Sequence, residues 1–195
     1  PFDGLNLDRM RFPSADYCHC AYCREAFRRD TGMELASFPE RGTEAKRFLE
    51  WKREQNARSV ARVVEAVRKA RPDAFITAYA VPPAEMDSRA QSWDLWMKRG
   101  LLDAIAVSMY EPDIDPAARR AIELLCGSSR LICAINAEHD SAIYLSNVEK
   151  TRSITRLGQY TWYTGTVMDD IEGLKSGPYA KPATSPLRGQ SPPRK

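Results

Sequence analysis

No apolar run in this chain approaches the roughly 20 residues that a membrane-spanning helix needs, so no membrane span is expected. Charge of one sign is also missing. The 29 Lys and Arg nearly balance 26 Asp and Glu, leaving +3, without the clusters of basic residues that phosphate-backbone binding demands. Nucleic acid is therefore not an expected partner. Histidine is scarce, with only His19 and His139, and a metal-dependent amidohydrolase wants several. The chain opens on Pro1 with neither Met nor the charged and apolar regions of a signal peptide. It is expected to be the remainder of something longer, and no localisation is read from it.

What is present is enough apolar material for one sizeable core, 43% of 195 residues. Leu5 and Leu7 alternate with polar residues like a short strand, which stops in Asp8, Arg9 and Arg11. This is either an acid delivered by a strand end into a pocket or a surface ion pair on a loop. A cysteine-bearing loop follows, then Phe48, Trp51, Val60, Val63, Val64 and Val67 at helical spacing predict an amphipathic helix over 43–69, ended by Pro72.

Runs at 74–81, 102–110, 130–137 and 159–164 predict four more strands. Between them the pattern predicts a helix over 88–99 closed by Gly100, one opened by Asp115 as N-cap with Pro116 and closed by Gly127, and a third ended by Gly158. About five alternations of strand and helix, with near-continuous apolar strands, predict an α/β fold with a parallel sheet buried on both faces. Trp51, Trp96, Cys126 and Cys133 are expected in the core. Residues 1–175 form the expected domain, and the Pro, Ser, Gly and basic composition of 176–195 predicts a disordered tail.

The run Asp3–Pro13 resembles the Asp-Gly-(Ile/Leu)-x-(Leu/Phe)-Asp-x-(Ile/Met)-Arg-(Tyr/Phe)-Pro signature of glycosyl-hydrolase-like family 10. Gln91-Ser92-Trp93 with Trp96 and Gly100, the Leu102–Ile105 strand ending in Met109-Tyr110, and the spacing of the later strands agree with it. The resemblance covers about residues 1–175. It implies a (β/α)8 TIM-type barrel in which the signature lies on the fourth strand, so that only strands four to eight are present here. A complete barrel takes about 250 residues. A partial barrel is therefore expected, with the missing N-terminal part of the barrel as a structural partner.

On such a barrel, chemistry sits at the C-terminal strand ends. Asp8, Glu111 and Glu138 follow the first, third and fourth strands here, and glycoside hydrolysis needs one ionised and one protonated carboxyl. Asp8, near Arg9 and Arg11, suits the ionised role. Glu111, beside Met109 and Tyr110, and Glu138, beside His139, are rivals for the acid. A helix cap or a loop charge is the plainer reading of each. Arg11, Tyr79, Tyr110, Asn136 and Trp162 are candidate substrate-binding residues, with Trp93 and Tyr163 as further ring platforms. Trp162 serves equally as barrel filling, and Asn136 as a satisfied strand-end amide. The expected activity is hydrolysis of a poly- or oligosaccharide without a catalytic cofactor. The alternative is a non-catalytic carbohydrate-binding barrel.

Cys18, Cys20 and Cys23 place three thiols within six residues, beside His19. Such spacing suits one structural zinc with a fourth ligand from His19, Cys126, Cys133 or a segment outside this sequence. A disulfide and reduced loop thiols are the alternatives. The arrangement is similar to the Cys-x-Cys-x-x-Cys of bacterial β-galactosidases, where a Phe-containing helix follows, as in Cys23-Arg24-Glu25-Ala26-Phe27, and the fourth cysteine comes from an earlier loop.

Overall fold

Five short runs line up side by side and all in one direction. In the computed structural model, which describes residues 3–35 and 41–181, β1 (Gly4–Leu7), β2 (Phe75–Ala80), β3 (Ala104–Met109), β4 (Leu131–Asn136) and β5 (Gln159–Trp162) form one sheet in sequence order. Every neighbouring pair is parallel. The sheet curls into a half-barrel. Parallel pairing demands a crossover between strands, and helices supply it: α1 (Ala21–Thr31) and α2 (Gly42–Ala70) after β1, α3 (Trp93–Lys98) after β2, α4 (Asp115–Leu125) after β3, and α5 (Ser141–Ile154) after β4. After β5 come α6 (Thr164–Val167), a 3-10 turn and α7 (Ile171–Ser176).

Alternation along each strand sorts side chains between two faces. Ile76, Ala78 and Ala80, then Ile105, Val107 and Met109, then Leu131, Cys133 and Ile135 point outward. There they meet Val60 and Val64 of α2, Trp93, Trp96 and Met97 of α3, Ala118 and Ala121 of α4, and Tyr144 and Val148 of α5 in one core. The inner face carries Ala104, Ala106 and Ile132, with Phe75 and Leu157 against them. A satellite cluster of Phe27, Leu35 and Phe48 joins α1 to α2. Its rings pack edge-on (Phe27–Phe48, 5.4 Å) and stacked (Phe48–Trp51, 5.7 Å).

Several expectations are corrected by these contacts. The Phe-containing helix implied after the cysteines is α1, which begins already at Ala21, hides only Ala26 and Phe27 and ends at Gly32 in the left-handed region. The helix predicted over 88–99 shrinks to Trp93–Lys98, preceded by a 3-10 turn at Pro83–Glu85. The break falls where Ala90 adopts φ 46 and the Gln91 side chain bonds backbone instead of leaving the helix. Gly100, at φ 66, does terminate α3. Asp115 is the first residue of α4, with Ile114 as N-cap, and the left-handed closing position belongs to Cys126 rather than Gly127. Cys126 is consequently exposed, not in the core, whereas Cys133 is buried. Trp96 is fully buried, but Trp51 belongs to the satellite cluster, half-buried, with its Nε1–H donated to Asp30. The last strand stops at Trp162, and Thr164 opens α6. Most of the predicted tail, from 182 on, lies outside the described residues.

Two features of the convex side lack cover. Leu5 on β1 is 39% exposed, and a shallow groove along α2 is lined by Ser59, Val63, Ala66, Val67 and Ala70.

Burial ranks the strands energetically. Ile105→Ala removes a fully buried side chain and is expected to cost about 2–5 kcal/mol in urea unfolding. Leu5→Ala, on the exposed edge, is expected to stay within about 1 kcal/mol. Equal losses would overturn the assignment of β3 as the centre of the core.

Candidate functional site

Because the strands are parallel, their C-terminal ends share one edge. Leu7 pairs with Ala78, Ala80 with Val107, Met109 with Ile135, and Asn136 with Trp162. The residues beyond those ends are Asp8, Tyr110, Glu111 and Glu138, all of them sequence-predicted site residues. The inner face below them is polar towards β1: Thr77 Oγ1 donates to Asn6 Oδ1 at 2.8 Å and lies 3.5 Å from the Tyr160 hydroxyl.

Asp8, Arg11, Tyr79 and Tyr110 come together. The Arg11 Cζ lies 6.0 Å from the centre of the Tyr79 ring, and the Tyr79 and Tyr110 rings are 6.4 Å apart at 45°. Burial, then the neighbouring Tyr79 hydroxyl, then the charge of Asp8, hold the Tyr110 phenol well above its ordinary value. It is a neutral O–H donor across the working pH range. Asp8 accepts the Arg9 N–H at 2.7 Å, and Arg9 sits at φ 55, a left-handed conformation unusual for a branched-out side chain. Asp8 forms no ion pair with any described residue, so the surface ion-pair reading of this loop does not describe it.

Glu111 and Glu138 are exposed, and neither pairs with a cation among the described residues. Neither caps a helix: Asp140, not Glu138, caps α5 by accepting the Ala142 N–H. His139, beside Glu138, reaches back from the β4 end to the Tyr110 carbonyl at 2.7 Å, joining the two halves of the edge. Asn136 Oδ1 accepts the Glu138 N–H at 3.0 Å, which is the strand-end amide role. Trp162 is 57% exposed and Tyr163 46%, with ring centres 6.0 Å apart. By the β4–β5 register Trp162 lies on the inner face with Asn136, open to solvent in this half-barrel. Trp93 is fully buried and donates to the Val81 carbonyl, so it is no platform.

Sequence reasoning missed what holds the loop after β1. Gln91, fully buried, accepts the Val81 N–H at 2.7 Å and donates to the carbonyls of Met10 and Tyr79. Asn56 donates to Met10 and Ala90 carbonyls, both at 3.1 Å. Lys52, on the next turn of α2, donates to Ala15 at 2.6 Å and Tyr17 at 3.0 Å, and burial depresses its pKa. Arg89 meets the Pro13 carbonyl, and the Phe12 N–H meets that of Arg89. The signal was visible: Phe48, Lys52, Asn56, Val60 and Val64 form one i, i+4 stripe, and its two polar members sit where an apolar residue is expected.

The same loop leads into the thiols. The sulfurs of Cys18, Cys20 and Cys23 lie within 4.8 Å of one another. A tetrahedral Zn–S site with bonds near 2.3 Å has sulfur separations of about 3.8 Å, so closing it needs a shift of at most about 1 Å. Cys126, Cys133 and His19 are not in that group. Cys20 is the N-cap of α1. The Cys23 N–H and then the neighbouring thiols lower its pKa to about 7, while burial and then those thiols raise Cys23 to about 12. A thiolate at Cys20 with two further sulfurs beside it is a soft donor set that fits zinc.

This asymmetry is measurable. In chelator-treated protein, alkylation of Cys20 is expected to reach half its maximal rate near pH 7 and Cys23 to remain unmodified until far higher pH, following the values of about 7 and about 12. Peptide mass spectrometry over a pH series reads both, and equal rates at pH 8 would overturn the assignment. No family model matches the chain and no curated protein matches it, so the site is read from its own residues.

Proposed function

We propose that the half-barrel is the strand-four-to-eight part of a (β/α)8 barrel resembling glycosyl-hydrolase-like family 10, and that its C-terminal edge hydrolyses a glycosidic bond of a poly- or oligosaccharide. The observation that carries this is the gathering of Asp8, Arg11, Tyr79 and Tyr110 at one edge, with Glu111, Glu138 and the exposed Trp162 on the same side. Exposed Leu5 and the open groove on α2 support further strand and helix cover beside β1.

In this reading Asp8 is the ionised carboxylate, as nucleophile or as the base that activates water. Glu111 or Glu138 protonates the leaving oxygen. Tyr110 donates its hydroxyl proton to a sugar oxygen without itself ionising, and Trp162 offers an apolar face to a pyranose ring. The second reading, a carbohydrate-binding barrel without catalysis, is favoured by one fact: both glutamates are exposed, whereas a general acid is better served by an apolar pocket. Asp8→Asn separates the two. Hydrolysis of an oligosaccharide is expected to fall by at least about 10²-fold with the melting temperature unchanged. Undiminished turnover removes Asp8 from the mechanism, and glycan binding that survives Asp8→Asn with Glu111→Gln and Glu138→Gln, without turnover in the parent, supports the binding module.

Cys18, Cys20 and Cys23 are proposed to hold a structural zinc that ties the loop after β1 to α1. Metal analysis of protein purified without chelator is expected to give close to one zinc per chain, with loss of metal in Cys20→Ser. A stoichiometry near zero overturns it.

A further inference from the structure

We infer that the edge pocket accepts an acidic sugar, with the Arg11 guanidinium taking the carboxylate of a hexuronic acid unit. This rests on the glycan reading above and names its substrate class.

The observation is an arginine whose guanidinium has no hydrogen-bond or ion-pair partner among the described residues, in a place where water serves it poorly. Arg11 is half-buried beside the Tyr79 ring, and its Nη1 is shut off from solvent without a hydrogen bond. No ion pair or side-chain hydrogen bond engages the guanidinium among the described residues. Arg53 and Arg68 also keep one buried nitrogen unbonded, but each is anchored through another nitrogen, to Asp87 and Asp103. Arg11 lacks such an anchor. A partly desolvated cation left unpaired is unfavourable, and an arriving anion relieves it.

The neighbourhood favours a carboxylate on a ring. Guanidinium geometry matches a carboxylate with two parallel hydrogen bonds. No ion pair joins Arg11 to Asp8, whose Oδ1 accepts the Arg9 N–H. Tyr110 stays protonated beside it and supplies an O–H donor. The arginine is also fixed at its base: its N–H donates to the Arg9 carbonyl at 2.7 Å, and the preceding Met10 carbonyl is held by both Asn56 and Gln91. Fixing the backbone at the base of the side chain leaves less to order on binding.

Isothermal titration with two matched disaccharides, one ending in glucuronic acid and one in glucose, tests this. The acidic sugar is expected to bind at least about tenfold tighter, with the gap narrowing as salt rises. Arg11→Gln is expected to erase the preference with the melting temperature unchanged, and Arg11→Lys to restore it in part. Equal affinities in the parent protein, or a preference that persists in Arg11→Gln, would overturn the inference and leave the glycan reading standing. Binding of neither sugar would overturn both.

Discussion

The in-phase parallel register is the constraint from which the rest follows. A parallel strand cannot return through a tight turn, so each must be re-entered from the far side by a crossover. Every loop after a strand therefore opens on the same edge, and every loop before one opens on the other. With Leu7 opposite Ala78, Ala80 opposite Val107 and Met109 opposite Ile135, each strand end lies within two residues of its neighbour's. Chemistry assembled from five separate stretches of sequence then needs no further device to bring it together. β3, buried along its whole length, pairs with β2 on one side and β4 on the other.

The two edges are held by different means. At the entry edge, Asp103 accepts the Ile76 N–H and pairs with Arg68, while Arg130 donates to the carbonyls of Leu102 and Asp103. There Arg68 and Arg130 are tied to acceptors in the scaffold, as expected where only stability is at stake. At the exit edge, neutral amides and one buried ammonium fasten the backbone, through Gln91, Asn56 and Lys52. The charged groups Asp8, Arg11, Glu111 and Glu138 are left outside those bonds to side chains. Fixing the main chain while leaving ionisable side chains unpaired is how a scaffold presents reactive groups.

Much of this was legible in the sequence for a physical reason. Strands buried on both faces appear as unbroken apolar runs, and the runs at 74–81, 102–110 and 130–137 each enclose an observed strand. Their C-terminal ends were overrun by one residue, Val81, Tyr110 and Ala137, because apolar and aromatic residues continue past the last paired one. α1 left no periodicity to read, since only Ala26 and Phe27 of its eleven residues are buried and no side chain caps it, and only the resemblance around the cysteines implied a Phe-containing helix there. The break before α3 was hidden for a different reason: Gln91, Ser92 and Trp93 look helical by composition, but the Gln91 amide bonds to the β2 and β1 loops instead. For the site, spacing identified which residues stand at strand ends. It could not show that Trp93 turns inward or that Asn136 bonds to the Glu138 N–H, because those depend on which neighbour a side chain meets.

The turn at Arg9 shows why backbone geometry, not spacing, joins the two charged groups of the first loop. Asp8 continues the inward parity of Asn6, which meets Thr77 across the sheet. Three residues further along an extended chain, Arg11 would face the opposite side. The left-handed residue between them, φ 55 at Arg9, with the Arg11 N–H bonded back to the Arg9 carbonyl, reverses the chain and returns Arg11 to the Tyr79 face. A non-glycine residue held in that region costs about 1 kcal/mol or more, and the amides of Asn56 and Gln91 on the next carbonyl hold it there. The strain is local to the one place where an acid and an unpaired arginine are brought to the same pair of tyrosines.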